Sequence, residues 1–239
     1  MLPVLSLALV SFALAAPPIV PPVNLQPCVD GVNNVVKVQD IHDGPIAIHA
    51  RDMVAQTYDV NGNPSCYYGR AAVSLPGQIK LVKGTVVVSS ANTDMKSAEF
   101  KMTLKKNSVF IGTVCENGVS KKSQVPAHAC HHKIYPEIGD KFLQMLSTPG
   151  SYDMETIEKE AHQSNIIKLP AISSALNTFV VKIEKEAHQS NIIKLPAISS
   201  ALNTFVVKGD WQAQIALVLG GQTIAHIKAP SNTEWLYVN

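Results

Sequence analysis

The sequence predicts an all-β sandwich, and three observations carry that expectation. The segment Ala98-Glu99-Phe100-Lys101-Met102-Thr103-Leu104-Lys105 alternates apolar and polar residues over eight positions. That period belongs to an antiparallel strand with one face buried. Trp211–Leu219 alternates as well, Gly220-Gly221 offers two residues at home at positive φ, and Gln222–Ala229 runs back, as in a tight hairpin. Helical periodicity is scarce, while turn signals recur at short intervals, the pattern of a sandwich.

Taken in order, the chain opens with an apolar run, Leu2–Ala16, that closes on the small-residue pattern Ala13-Leu14-Ala15. This reads as a secretory signal peptide over residues 1–15, although no Lys or Arg precedes it. At about 15 residues the run is too short to span a bilayer, and no later segment supplies 18 uninterrupted apolar residues. Residues 16–33 read as a leader, extended where Pro17, Pro18, Pro21, Pro22 and Pro27 cluster. One domain is expected over 34–239.

Within that domain, Val36 and Val38 mark a first strand. The Asp43-Gly44-Pro45 turn and Ile46-Ala47-Ile48 follow, and Asn61–Cys66 is a turn cluster. Val82–Val88 is β-branched and interrupted only by Lys83-Gly84-Thr85. After the Ala98–Lys105 strand, Lys106-Asn107-Ser108 turns the chain and Val109–Cys115 is expected to return beside it. Pairing Leu219 with Gln222 would place Trp211, Ala213, Ile215 and Leu217 on one face with Ile224 and His226. Phe142–Leu146 is expected to form one or two helical turns. Pro170–Leu176 is another such stretch, with proline at the first position.

One stretch stands apart. Ile157–Lys182 recurs letter for letter as Ile183–Lys208, with nothing between the copies. Solenoids need about three or more diverged units with distinct caps, which excludes that architecture. Identity at every position marks a recent duplication or a gene-model error. Two identical segments compete for one structural slot, so one copy is expected as an insertion inside 157–208. Such an insertion is tolerable, because each doubling of loop length adds only about 0.6 kcal/mol of closure cost. The surplus is expected between about Ala161 and Lys194.

Composition narrows function. With 46% apolar and 16% charged residues and a net charge of +2, the chain lacks the clustered basic footprint of a nucleic-acid binder. No G-x-S-x-G elbow, H-E-x-x-H, P-loop or G-x-G-x-x-G occurs, so no catalytic signature supports an enzyme. No cofactor is expected. Cys115, His128, Cys130, His131 and His132 form the one dense cluster of ligand-type residues. Zinc would want cysteines two to four residues apart, whereas these two are separated by fourteen. In an exported chain, four cysteines argue instead for two disulfides. Cys115–Cys130 closes the histidine loop and Cys28 then pairs with Cys66. No metal site is expected.

The apolar strand residues Val86, Val88, Phe100, Met102, Leu104, Phe110, Ile215 and Leu217 fit two roles, a solid core or the lining of a cavity. Periodicity does not separate them.

A resemblance does. The alternating strand AEFKMTLKK leads into VFIGTVC, a variable loop closes at HAC, and Pro149-Gly150-Ser151-Tyr152 opens a further strand. LPAISSALNTFVVKGDW and the hairpin WQAQIALVLGGQTIAHIKA follow. This pattern, over a little more than half of the chain, resembles the ML lipid-recognition family, which includes the lysosomal ganglioside activator and the Niemann–Pick type C sterol carrier. It is closer to the activator-like branch. The resemblance implies an immunoglobulin-like β-sandwich whose sheets splay around a lipid, lined by the eight residues named above. It implies a secreted or lysosomal, non-enzymatic carrier of a sterol, fatty acyl chain or glycolipid tail. The partners implied are that lipid, a membrane surface met transiently, and an acceptor protein or hydrolase without a signature in the chain. The alternative is a closed sandwich acting as an extracellular recognition or adhesion module. One departure is plain: family members commonly tie the N-terminal strand to the last strand through a disulfide, and His226 stands where that cysteine would be.

The loop Glu116–Lys133 carries Lys121, Lys122, Lys133, His128, His131 and His132 against a single acid, Glu116. Such a charge run fits a solvated, disulfide-tied surface loop, and with Phe142 and Leu143 beyond it, it also fits a membrane-docking lid. Its histidines would gain charge as pH falls below about 6.5.

Overall fold

In the computed structural model the alternating segment forms a strand from Glu99 to Lys106. The structure describes residues 27–41, 46–123, 125, 127–136, 138–161, 164–169 and 208–239. The strands among these residues are β1 (Val35–Lys37), β2 (Gln39–Asp40), β3 (Ile48–Asp59), β4 (Cys66–Tyr67), β5 (Arg70–Val73) and β6 (Gly77–Val88). They continue as β7 (Glu99–Lys106), β8 (Thr113–Glu116), β9 (Val119–Ser120) and β10 (His131–Lys133). Helix α1 (Asp140–Ser147), β11 (Gly150–Asp153), helix α2 (Met154–Ala161) and β12 (Ile166–Leu169) follow. β13 (Gly209–Leu219), β14 (Gln222–Ala229) and β15 (Leu236–Val238) close the chain.

Two sheets pack as a sandwich, the all-β fold the alternation predicts. One runs β1-β3-β6-β11, with β12 also on β6. The other runs β4-β5-β15-β13-β7-β8-β9, with β10 on β7 and β14 bridging β13 to β2. The chain crosses between sheets at Val38, whose N–H still donates to Met53 before β2 turns to β14.

β3 was hidden in the sequence because its inward phase changes midway. Ile48 and Ala50 share one face, but beyond Asp52 the buried residues are Met53, Ala55 and Thr57. Arg51 pairs with Thr85 and Val54 with Lys83, so Asp52 and Met53 together oppose Gly84. This is a β-bulge, which shifts the side-chain phase by one. Gly84 is required there: a Cβ would lie 2.6 Å from the Met53 sulfur and 2.8 Å from its Cα.

The final hairpin pairs Leu219 with Gln222 as expected, but a bulge between Leu217 and Val218 then shifts the register. Leu217 and Ile215 stand opposite Ala225 and Ile227, and His226 falls opposite Ala216 on the other face. Val109–Ile111 forms no strand. Gly112, at φ 57, closes a turn from Ser108, and the returning strand begins only at Thr113.

The expected turns at Phe142–Leu146 become α1, whose Leu143, Met145 and Leu146 are buried. Asp153 precedes helix α2, and its carboxylate accepts the Thr156 N–H at 2.8 Å, an N-cap contact. Both disulfides form as expected, Cys28–Cys66 and Cys115–Cys130. Closing a loop of about 15 residues is worth about 3 kcal/mol in the chain-entropy view. Two disulfides fit an oxidising compartment, and no helix of the described residues is long and apolar enough to cross a membrane.

From the first copy of the repeat, Ile157 and Ala161 are buried in α2 and Ile166–Leu169 form β12 on the edge of β6. The sequence reading has the first copy continuing the strand from Tyr152, whereas a helix intervenes. Residues 1–15, the Asp43-Gly44-Pro45 turn, Pro170–Leu176 and most of 161–194 lie outside the described residues.

Candidate functional site

Directly opposed residues in a ladder share a face, so the register fixes which side chains meet. Across β7 and β13, Phe100 faces Leu217, Met102 faces Ile215 and Leu104 faces Ala213. Phe100 and Leu217 pack with Ile48 and Val88 of the other sheet, so this face looks inward. Each row continues onto β14, where Ile215 stands opposite Ile227.

The rows differ in how they are filled. Val88 and Leu217 are buried, and Val86 and Phe100 pack against them in one apolar cluster with Leu143, Leu146, Ile134 and Ile138. Leu104 packs at the other end beside Val114, Trp211 and the Cys115–Cys130 bridge. A third cluster gathers Val36, Ala55, Ala71, Leu81 and Leu236. Between these ends lie Met102, Ile215 and Ile227. They are half-buried, and none of the four apolar clusters among the described residues includes them.

Phe110 requires a correction. It is 93% exposed and Val109 beside it is 99% exposed, so Phe110 lines no interior. The reason is the Ser108–Gly112 turn, which carries both side chains outward at the tip between β7 and β8. Lys105 next to this tip is exposed, while Lys106 is buried with its ammonium 5.6 Å from the Trp211 ring centre. Burial pushes that ammonium's pKa down. The glycine four residues after Ser108 was the sequence signal for this tip.

The expected docking loop is also redistributed. Leu143 is 3% exposed and belongs to the core, and Phe142 is half-buried against two apolar clusters. The amphipathic spacing of α1 turns both toward the sheets. Lys121 is exposed and pairs with Glu116 at 2.6 Å, and Lys122 is half-buried. His128 is exposed on a short 3-10 turn. His131 hydrogen-bonds the Gly118 carbonyl through Nδ1 at 3.2 Å, and His132, opposite Phe100, meets that ring edge-on at 5.8 Å. The three histidines point to three environments and form no single cationic face.

Two clefts open elsewhere. One of about 440 Å³ lies between Val36, Ala71, Pro230 and Trp235. There Arg70 donates to Asp210 at 2.6 Å and to the Trp235 carbonyl at 3.2 Å. The other, about 700 Å³, follows the edge of β3 beside β2 and includes Val38, Asp40, Ala50 and Met53. Asp40 is half-buried there and meets His49 at 3.0 Å. Among the described residues no group of three His, Cys, Asp or Glu side chains converges as metal ligands would.

No family model matches the chain, and no curated protein matches it either.

Proposed function

We propose that the protein is a secreted, non-enzymatic lipid carrier that holds a sterol, fatty acyl chain or glycolipid tail between its two sheets. The observation that carries this reading is the Met102–Ile215–Ile227 row. In a closed sandwich the central row of the inner face is the most deeply buried part of the core. Here Phe100 and Leu104, themselves half-buried, join an apolar cluster at each end, while Met102, Ile215 and Ile227 between them are half-buried and join none. Apolar surface left in contact with water forgoes about 25 cal/mol per Å², which a bound aliphatic tail would recover. The resemblance of AEFKMTLKK, VFIGTVC and the final hairpin to the ML lipid-recognition family supports the same reading. A closed recognition module predicts a continuous core instead.

The exposed Val109–Phe110 tip supports a membrane step. An aromatic and a β-branched side chain, both almost fully exposed beside Lys105, suit the interface of an anionic bilayer. Native mass spectrometry of the secreted chain, followed by lipid extraction, tests the carrier reading. A stoichiometric lipid is expected. A chain that carries none and takes up no fluorescent fatty acid or sterol from liposomes would sink it.

A further inference from the structure

The larger cleft has a basic rim. Lys37 stands opposite Val54 across β1 and β3, and Val54 stands opposite Lys83 across β3 and β6. The two lysines therefore flank Val54 on one face, with Cα atoms about 10 Å apart at two strand spacings. Arg51 pairs with Thr85, two residues beyond Lys83 on β6, so it shares that face. The bulge makes this arrangement. Arg51 and Val54 are three residues apart and would lie on opposite faces of a regular strand, but the phase shift at Asp52 and Met53 puts both on one face, so Arg51 stands beside the lysines.

All three cations are exposed and line the cleft, and among the described residues none of them is ion-paired. Two acids share the groove. Asp52 is exposed, and Asp40 is half-buried and already held by His49. Positive charge is in excess at the rim. Val38, Ala50 and Met53 add apolar lining, and Met53 is buried. Register ties the cleft to the interior: Asp40 in its lining stands opposite Ile227, which stands opposite Ile215, which stands opposite Met102.

We infer that this groove binds the anionic group of an amphiphilic ligand, a carboxylate or a phosphate, through Lys37, Arg51 and Lys83. Arg51 can grip either anion with two parallel N–H donors, and the lysines add point charges on each side of Val54. The tail of the ligand rests on the carrier reading above. The anion contact does not.

The test compares dodecanoate, dodecyl phosphate, dodecanol and inorganic phosphate on the full secreted chain and on the triple variant Lys37→Gln, Arg51→Gln, Lys83→Gln. The three side chains are exposed, so the variant is expected to keep its melting temperature. The wild type should bind one or both anionic amphiphiles at least tenfold more tightly than dodecanol. The variant should lose that tenfold while its dodecanol affinity stays unchanged, and added salt should reproduce the loss. If all three amphiphiles bind equally and the variant matches the wild type, the anion site is overturned while the carrier reading stands. If no amphiphile binds but inorganic phosphate raises the melting temperature of the wild type alone, the site takes a free anion and the acyl-chain form of the carrier reading fails. If neither amphiphile nor phosphate binds, the anion site and that form both fall.

Discussion

Met102 lies directly opposite Ile215 across the β7–β13 ladder, and both are half-buried between two apolar clusters that include neither of them. Overpacking a well-filled core costs typically about 1–3 kcal/mol. If the centre holds room for a ligand, a larger side chain occupies that room at little cost. Met102→Trp is therefore expected to leave the denaturation midpoint within about 0.5 kcal/mol of wild type, the range of changes that disturb no packing. Uptake of a fluorescent fatty acid should fall at least tenfold. A large loss of stability with unchanged uptake would mean that the row is ordinary core.

Phe110 and Leu143 make a contrasting pair, one 93% and the other 3% exposed. Leu143→Ala is expected to cost about 2–5 kcal/mol, as buried leucines do. Phe110→Asp should leave folding unchanged and weaken co-sedimentation with anionic liposomes severalfold. Co-sedimentation unmoved by Phe110→Asp would remove the tip from the membrane step.

Asp153 caps α2, and its carboxyl is held below the usual carboxylate range by the Thr156 N–H and side chain. A depressed folded pKa contributes stability above the unfolded value near 3.9 and loses it as pH falls through the folded value. Asp153→Ala should thus lower the melting temperature at pH 7, with the gap to wild type closing as pH falls below about 4. Thermal melts across that window check it; a constant gap would assign the effect to something other than the ionised cap.

Deleting 157–182 and deleting 183–208 yield the same chain. That chain keeps Ile157, Ala161 and the Ile166–Leu169 strand, all provided by the first copy. It is expected to melt at the same or a higher temperature, because a shorter connection closes at lower entropic cost. A shortened protein that fails to fold would show that both copies are structurally required.

The strand most legible from sequence was the one with an unbroken phase: Glu99–Lys106 alternates continuously and appears where alternation places it. The β13–β14 hairpin also forms with Leu219 opposite Gln222, but the bulge between Leu217 and Val218 breaks its phase and puts His226 on the other face from the one alternation gives. β3 was not legible, because the bulge at Asp52 and Met53 changes which parity faces inward. The same device placed Arg51 beside Lys37 and Lys83, so a rim built from three strands left no local motif. Phe110 was misplaced for the opposite reason: Val109-Phe110-Ile111 has strand composition, but Ser108 and Gly112 close a turn around it. Leu143 was legible as helical but not as core, since a single apolar turn does not say which way its face is directed.

β6 is twelve residues long, yet its outer flank is covered by two short strands, β11 along Thr85–Val88 and β12 along Gly77–Lys80. A long bare flank offers a row of unmatched N–H and C=O groups to any neighbouring chain, the commonest route from a sheet to a polymer. β12 is therefore a guard on solubility as well as a part of the sheet. Its residues, Ile166 to Leu169, are the first copy of a sequence that the chain carries twice. A proteolytic cut or a proline placed there would leave the sandwich its core and uncover a flank along which two molecules could join.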